Sequence, residues 1–311
     1  MVLEQESSTC YRDIHDGAGA GDGFDAFRAE VRARLENLLE QIIARLPDSE
    51  VSRAASYAVR NGGHRWRGVL AIAAGRIFDR RAMELSLPGA CGAELAHAAS
   101  VVLDDLPSMD NARLRRGRPC VHLVFPRWAV DMVPAFLIAL AYQVSLENPR
   151  VSHKRRVTAA VELSRAGLQM TQGQAMDLNA ACRGDRSADC LLECYRLKTG
   201  ALFAATAKAG AILCGAHSED AARIEILGMN LGVAYQILDD LADITATLEE
   251  MGKSPRMDVS KITAVDLFGV NGAKQKAKDL KETALAQLDR FGTEARPLRE
   301  LIDRTCHEPL R

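Results

Sequence analysis

The sequence predicts an all-α protein, and three observations carry that prediction. Apolar residues recur at steps of three and four through most of the 311-residue chain. No stretch alternates apolar and polar residues between hairpin-type turns. Glycine and proline fall between the periodic stretches, at Gly62-Gly63, Pro88-Gly89, Gly117 with Pro119, Pro126, Pro149 and Gly215.

The first helix is expected from Phe24, where Phe27, Val31, Leu35, Leu38, Leu39, Ile42 and Leu46 share one face until Pro47 stops it. Further helices are expected within Leu70 to Phe78, Cys91 to Leu106, Val130 to Leu146, Arg156 to Asn179, Asp189 to Leu213, Asp220 to Thr247 and Ala273 to Phe291, with a last one after Pro297. No Pro-, Gly- or Ser-rich linker interrupts the chain after residue 25, so residues 24–311 read as one domain. Residues 1–23 read as a flexible polar tail. Its GAGAGDG stretch, Gly17 to Gly23, follows no strand and opens no βαβ unit, which argues against a phosphate loop.

Composition narrows the function. With 40 basic and 41 acidic residues the net charge is −1. That balance argues against general affinity for nucleic acid or acidic membranes, since both need a basic excess. The low aromatic content, 5%, suits many closely packed helices with small side chains. The Met1 to Gly23 stretch lacks the apolar core of a signal peptide. The most apolar run, Val130 to Leu146, contains Asp131 and Pro134 and falls short of a membrane span, so none is expected. The eight cysteines show no redox or zinc spacing; Cys190 and Cys194 lie one helical turn apart. They read as reduced thiols of a cytoplasmic protein.

Two acidic clusters suggest the chemistry. Asp104, Asp105 and Asp110 lie in VVLDDLPSMDNARLRRGRP, and Asp239, Asp240 and Asp243 in YQILDDLAD. Each ends a strongly apolar helical run. Residues 239, 240 and 243 share a helical face. Pro107 should end the first helix and let Asp110 return towards its partners. Carboxylates so close repel one another and need a cation. Their hard oxygens favour Mg²⁺, which takes one or two protein carboxylates and completes its shell with phosphate oxygens. Two facing clusters could therefore clamp a diphosphate leaving group. Basic groups accompany them: Arg113, Arg115, Arg116 and Arg118 after the first cluster; His64, Arg65 and Arg67 after Gly62-Gly63; Lys198 in LKTG; Lys253 and Lys261 after the second cluster.

With these motifs the sequence resembles the trans-isoprenyl diphosphate synthases, in particular the short-chain geranylgeranyl and farnesyl diphosphate synthases. The likeness runs from about Ala54 to about Gly269 and includes GQAMDL, YRLKTGALF and MGKSPRMDVSKITAVDLFG in matching order. It implies an isoprenoid-synthase bundle of roughly ten or more helices around a central cavity, assembled as a homodimer. It implies a catalytic set of Asp104, Asp105, Asp239, Lys198, Thr199 and Gln236. Asp104, Asp105, Asp110, Asp239 and Asp243 would hold Mg²⁺, three ions per site, on the allylic diphosphate, with Asp240 supporting the second cluster. Arg115, Lys198 and Lys253 would neutralise that diphosphate; Arg65, His97 and Arg116 would bind isopentenyl diphosphate. The family usually has Gly-Gly-Lys-Arg-x-Arg-Pro where this chain reads Gly62-Gly63-His64-Arg65-Trp66-Arg67-Gly68. His64 thus replaces a lysine expected to contact isopentenyl diphosphate, and only its protonated form carries a full charge. Pro126-Arg127-Trp128 and MVPAFLIAL also depart from the family pattern.

Product length is read from Ala99 and Ser100, one turn before Asp104 on the expected path of the growing chain. Both are small, where similar farnesyl synthases carry a bulky aromatic, so geranylgeranyl diphosphate is the expected product. Alternatives are a farnesyl diphosphate synthase, a class I terpene cyclase or a non-catalytic synthase subunit. A cyclase would need a carboxylate four residues after position 243, where this chain has Thr247; a non-catalytic subunit typically loses one acidic cluster, and both are kept here.

Overall fold

The computed structural model describes residues 20–183, 187–245 and 262–307. The order is α1 (Ala20–Ala44), α2 (Glu50–Arg60), α3 (Trp66–Arg76), α4 (Ala82–Asp104), β1 (Leu114–Arg115), β2 (Arg118–Pro119), α5 (Val121–Val124), α6 (Arg127–Leu146), α7 (His153–Arg183), α8 (Ala188–Tyr195), a π turn (Arg196–Gly200), α9 (Ala201–Leu213), α10 (Ser218–Thr245), α11 (Ala264–Ala286), a 3₁₀ turn (Asp289–Ala295) and α12 (Arg296–His307). The expected all-α fold is present; the two strands form only a short antiparallel hairpin, with Leu114 opposite Pro119 and Arg115 opposite Arg118.

Helix α9 is apolar apart from Thr206 and Lys208, and ten of its residues are buried. It is accordingly the central helix, packed against α3, α4, α7 and α10. Around it, α1 contributes the stripe Phe24, Val31, Leu35 and Leu39, and α4 packs along α6. A smaller cluster of Tyr195, Val233, Ile237 and Leu241 with Ala264, Ala273 and Ala277 joins α8, α10 and α11.

Several boundaries differ from the sequence reading. Helix α1 begins at Ala20, inside the stretch expected to be tail; residues 1–19 lie outside the described residues. Helix α2 was not foreseen. Its buried face is Ser52, Ala54, Ala55 and Val59, too weakly apolar to announce itself, and it starts where Ser49 Oγ accepts the Ser52 N–H at 3.1 Å. Pro88-Gly89 does not break the chain but lies inside α4. Proline leaves the carbonyl four residues back without its N–H partner. Here the buried Asn148 side chain supplies it, donating to Glu84 O at 3.2 Å and Leu85 O at 3.0 Å. Helix α6 begins earlier than expected, and its 20 residues are long and apolar enough to cross a membrane by length and composition. Its Ala129, Val130, Val133, Leu137, Ala141 and Val144 are nevertheless buried against the bundle, which makes it a core helix with one open face.

Candidate active site

Pro107 ends α4 as anticipated, and the chain folds straight back. The Asp110 N–H donates to Asp104 O at 2.9 Å and the Asn111 N–H to Leu106 O at 3.0 Å, with Asn111 in the left-handed region at φ +48°. Asp110 is thereby returned to Asp104. The Asp104 carboxylate accepts no hydrogen bond or ion pair among the described residues. Burial raises its pKa from 3.8 to about 6; Asp110 and Asp105 push the same way, while Lys198 and Arg115 oppose them. Asp105 is buried and engaged differently. It accepts from Arg115 Nη2 at 2.5 Å and Nε at 3.1 Å, which ties the β1–β2 hairpin to the end of α4.

On α10, Asp239 is half-buried and Asp243 exposed, whereas Asp240 is buried. Asp240 accepts from the Tyr195 hydroxyl, from Ala264 N at 2.8 Å and from Gln236 Nε2 at 3.4 Å. Burial raises its pKa to about 6 against the pull of those donors. Asp240 is thus a structural support, fastening α8 and the start of α11 to the helix that bears Asp239. Between α8 and α9 the π turn, closed by the Ala201 N–H on Arg196 O, displays two adjacent side chains in different directions. Lys198 Nζ bonds to Asp177 Oδ2 at 2.7 Å and acts electrostatically on Asp104; Thr199 Oγ1 donates to Gln236 Oε1 at 2.8 Å.

A basic basin joins the two acidic helix ends. His97 of α4 is pushed well below its ordinary pKa by burial and then by Arg67, Arg116, Arg115 and Arg65, so its imidazole is neutral at pH 7. Tyr235, one turn before Asp239, is held near three of the same arginines, 67, 116 and 115. The arginines beside the end of α4 therefore also face α10. Arg116 lies across the Gly62-Gly63 loop and bonds to Gly62 O. Gly63 adopts φ +127°, and a Cβ there would sit 2.8 Å from the Arg116 guanidinium, so only glycine seats this arginine.

Among the expected binding residues, Arg65 is not delivered to the basin as a free cation. It is 6% exposed and donates to Glu36 at 2.8 and 3.1 Å and to Val59 O at 2.9 Å, with Glu94 at 3.6 Å. A guanidinium that does remain available is that of Arg67, which the sequence reading named among the basic groups but gave no substrate role. Its Nε is buried without a partner, and it stacks 4.8 Å over the Phe203 ring. Gln174 Oε1, in GQAMDL, is likewise buried and unpartnered. Asp177 and Tyr195 were also missed as the partners of Lys198 and Asp240; both sit within the recognised motifs, in GQAMDL and YRLKTGALF. Lys253 and Lys261 lie outside the described residues. Ala99 is 1% exposed within the core, and Ser100 is half-buried with its hydroxyl on His97 O at 2.9 Å. Among the described residues no three acidic, histidine or cysteine side chains converge on a single point.

Residues 48–295 match the polyprenyl synthetase family. The chain belongs to that family. This polyprenyl synthetase is 32% identical to the geranylgeranyl diphosphate synthase of Cyanophora paradoxa, over 86% of this chain and 91% of that one. It is 33% identical to the farnesyl diphosphate synthase of Haemophilus influenzae, over 88% and 95%. The geranyltransferase of Helicobacter pylori, solved with magnesium and isoprenyl diphosphate, shares the fold at a TM-score of 0.79 and 24% identity, covering 94% of this chain and 97% of that one. Family membership makes the protein a prenyltransferase.

Proposed function

We propose that this polyprenyl synthetase joins isopentenyl diphosphate head-to-tail to dimethylallyl, geranyl and farnesyl diphosphates in a Mg²⁺-dependent reaction, with geranylgeranyl diphosphate as its main product. The observation that carries this reading is the shared basin: His97 on α4 and Tyr235 on α10 feel the same arginines, between two carboxylate-bearing helix ends.

The residues fit the metal. Asp104 is a half-buried carboxylate without a protein donor, crowded by Asp110 and Asp105. Mg²⁺ needs only one or two such groups at each position and takes its other ligands from phosphate and water, so a fully formed cage is not required. Asp104, Asp105, Asp110, Asp239 and Asp243 are the residues we assign to it. Bound there, magnesium supplies positive charge against which an allylic diphosphate can leave. Lys198 adds charge beside Asp104, and Arg115, fixed by Asp105, adds more. Arg116, Arg67 and neutral His97 form the second diphosphate pocket; His97 contributes a hydrogen bond, not a charge. The Thr199–Gln236 hydrogen bond joins the π turn to α10, within one turn of Asp239.

The product assignment is supported by the inner wall of α4. Gly89, Ala90 and Ala93 line a narrow apolar cavity with Ala71 of α3 and Ala205 and Gly210 of α9. At a helical rise of ~1.5 Å per residue these small side chains lie roughly 16–22 Å along α4 from Asp104, and the cavity between them has room for about a water molecule. The packed setting of Ala99 favours a second reading, a farnesyl diphosphate product. Incubation with isopentenyl diphosphate and each allylic diphosphate, with and without Mg²⁺, followed by chromatography of the dephosphorylated products, decides between them. Absence of any condensation would overturn the assignment. We also assign a homodimer: Trp128 and Met132 project from the open face of α6 beside Leu123 and Val124 of α5, each about half exposed, and a second copy of the chain would cover them.

A further inference from the structure

We propose that Arg28 of α1 is a diphosphate-binding residue of the isopentenyl diphosphate pocket, supplying the charge that His64 does not. This rests on the synthase reading above and names a residue outside every motif that led to it.

Three contacts converge on Arg28. Its guanidinium stacks 4.4 Å over the ring of Trp66, the first residue of α3. Its Nη2 lies 3.4 Å from His64 Nδ1. An arginine can only donate, so Nδ1 accepts and the imidazole proton resides on Nε2. His64 directly follows Gly63, against which the Arg116 guanidinium lies, and Trp66 directly precedes Arg67. Arg28 is therefore held against the loop that seats Arg116 and against the first residue of α3, one position before Arg67.

The approach of α1 has its own cause. Arg28, Val31 and Leu35 share a helical face, and Val31 and Leu35 are fully buried. Leu35 packs against the bare Cα of Gly68: a Cβ there would meet Leu35 Cδ1 at 2.4 Å. The Gly68 N–H, which a proline would lack, donates to Glu94 at 2.8 Å. Gly68 thus lets α1 close on the start of α3, and two turns earlier the same face presents Arg28 to Trp66 and His64. The two departures at this loop, His64 and Gly68, and Trp66 at the variable position between them all serve the docking of one arginine.

Arg28 is also a cation without a counter-charge. Two neighbouring arginines are matched by protein carboxylates, Arg65 by Glu36 and Glu94 and Arg115 by Asp105. Among the described residues Arg28 has no such partner. A stacked guanidinium keeps its N–H edge available for a phosphate, and its charge persists across the working pH range.

The test compares Arg28→Ala, Arg28→Lys and the unmodified protein in steady-state condensation with dimethylallyl diphosphate. For Arg28→Ala, KM for isopentenyl diphosphate should rise about tenfold or more, as expected for a lost charge-assisted contact, while KM for the allylic substrate stays within about twofold. Arg28→Lys should recover part of the loss. A second readout needs no turnover: with Trp128→Phe as background, Trp66 is the sole indole, and its emission titrated with isopentenyl diphosphate alone should show the same weakening. Unchanged affinity, or an equal rise in both KM values, would overturn the proposal while leaving the synthase assignment intact. An inactive unmodified protein would instead refute the synthase assignment.

Discussion

Replacing Asp104 by asparagine should make the metal-free protein more stable and the enzyme far less active. Burial, with Asp110 and Asp105 nearby, raises this carboxyl from 3.8 to about 6. That difference corresponds to roughly 3 kcal/mol, the extra cost of ionising Asp104 inside the fold relative to the unfolded chain. The sign follows from proton binding. Between about pH 4 and pH 6 the native carboxyl holds a proton that the unfolded one has released, so stability falls as pH rises through that window and stays low above it. Asparagine is nearly isosteric and carries no charge. In EDTA, Asp104→Asn should therefore melt several degrees above the unmodified protein at pH 7.5, and the gap should close near pH 4. Magnesium with an allylic diphosphate should stabilise the unmodified protein strongly and the variant weakly. Turnover of the variant should fall at least ~10²-fold, the scale of losing one preorganised electrostatic group. Thermal scans from pH 4 to 8 and initial rates provide the check. If the metal-free variant melts at or below the unmodified protein at pH 7.5, or turns over near-normally, then Asp104 is not a buried charge awaiting a cation.

Other perturbations separate the parts of the site. Gly63→Ala would place a Cβ 2.8 Å from the Arg116 guanidinium at φ +127°, so KM for isopentenyl diphosphate should rise about tenfold with a smaller change in kcat; an unchanged KM would show that Arg116 does not need its seat. Ala99→Phe should shift the product from the twenty-carbon to the fifteen-carbon chain, with overpacking lowering stability by about 1–3 kcal/mol; persistence of the longer product in a folded variant would show that Ala99 does not border its path. Met132→Glu, placing a charge on the open face of α6, should convert dimer to monomer in light scattering; a monomeric unmodified protein would remove the proposed interface.

How far the sequence could be read depended on whether the deciding neighbour was local. The periodic stripes of α1 and the apolar runs that become α4, α9 and α10 announce themselves, because each buries a face spelled out in consecutive turns. The return of Asp110 was equally legible, since Pro107 acts on its own helix. Pro88 was not: the donor that lets α4 continue is Asn148, sixty residues away. The paired arginines follow the same rule. Arg65 and Arg67 are nearly indistinguishable in GGHRWRG, and the resemblance assigned isopentenyl diphosphate to the first. Their fates are divided by carboxylates on other helices. Glu36 of α1 and Glu94 of α4 draw Arg65 into the protein, and Arg65 itself adopts φ +53° at the entry to α3. Two residues later, Arg67 has Phe203 beneath it and an unpartnered Nε. With Arg65 held by these acidic groups, Arg67 and Arg116 are the leading cations facing His97 and Tyr235. A substitution of Glu36 is therefore not neutral with respect to the substrate pocket: freeing Arg65 would alter the charge of the basin without touching any residue that lines it.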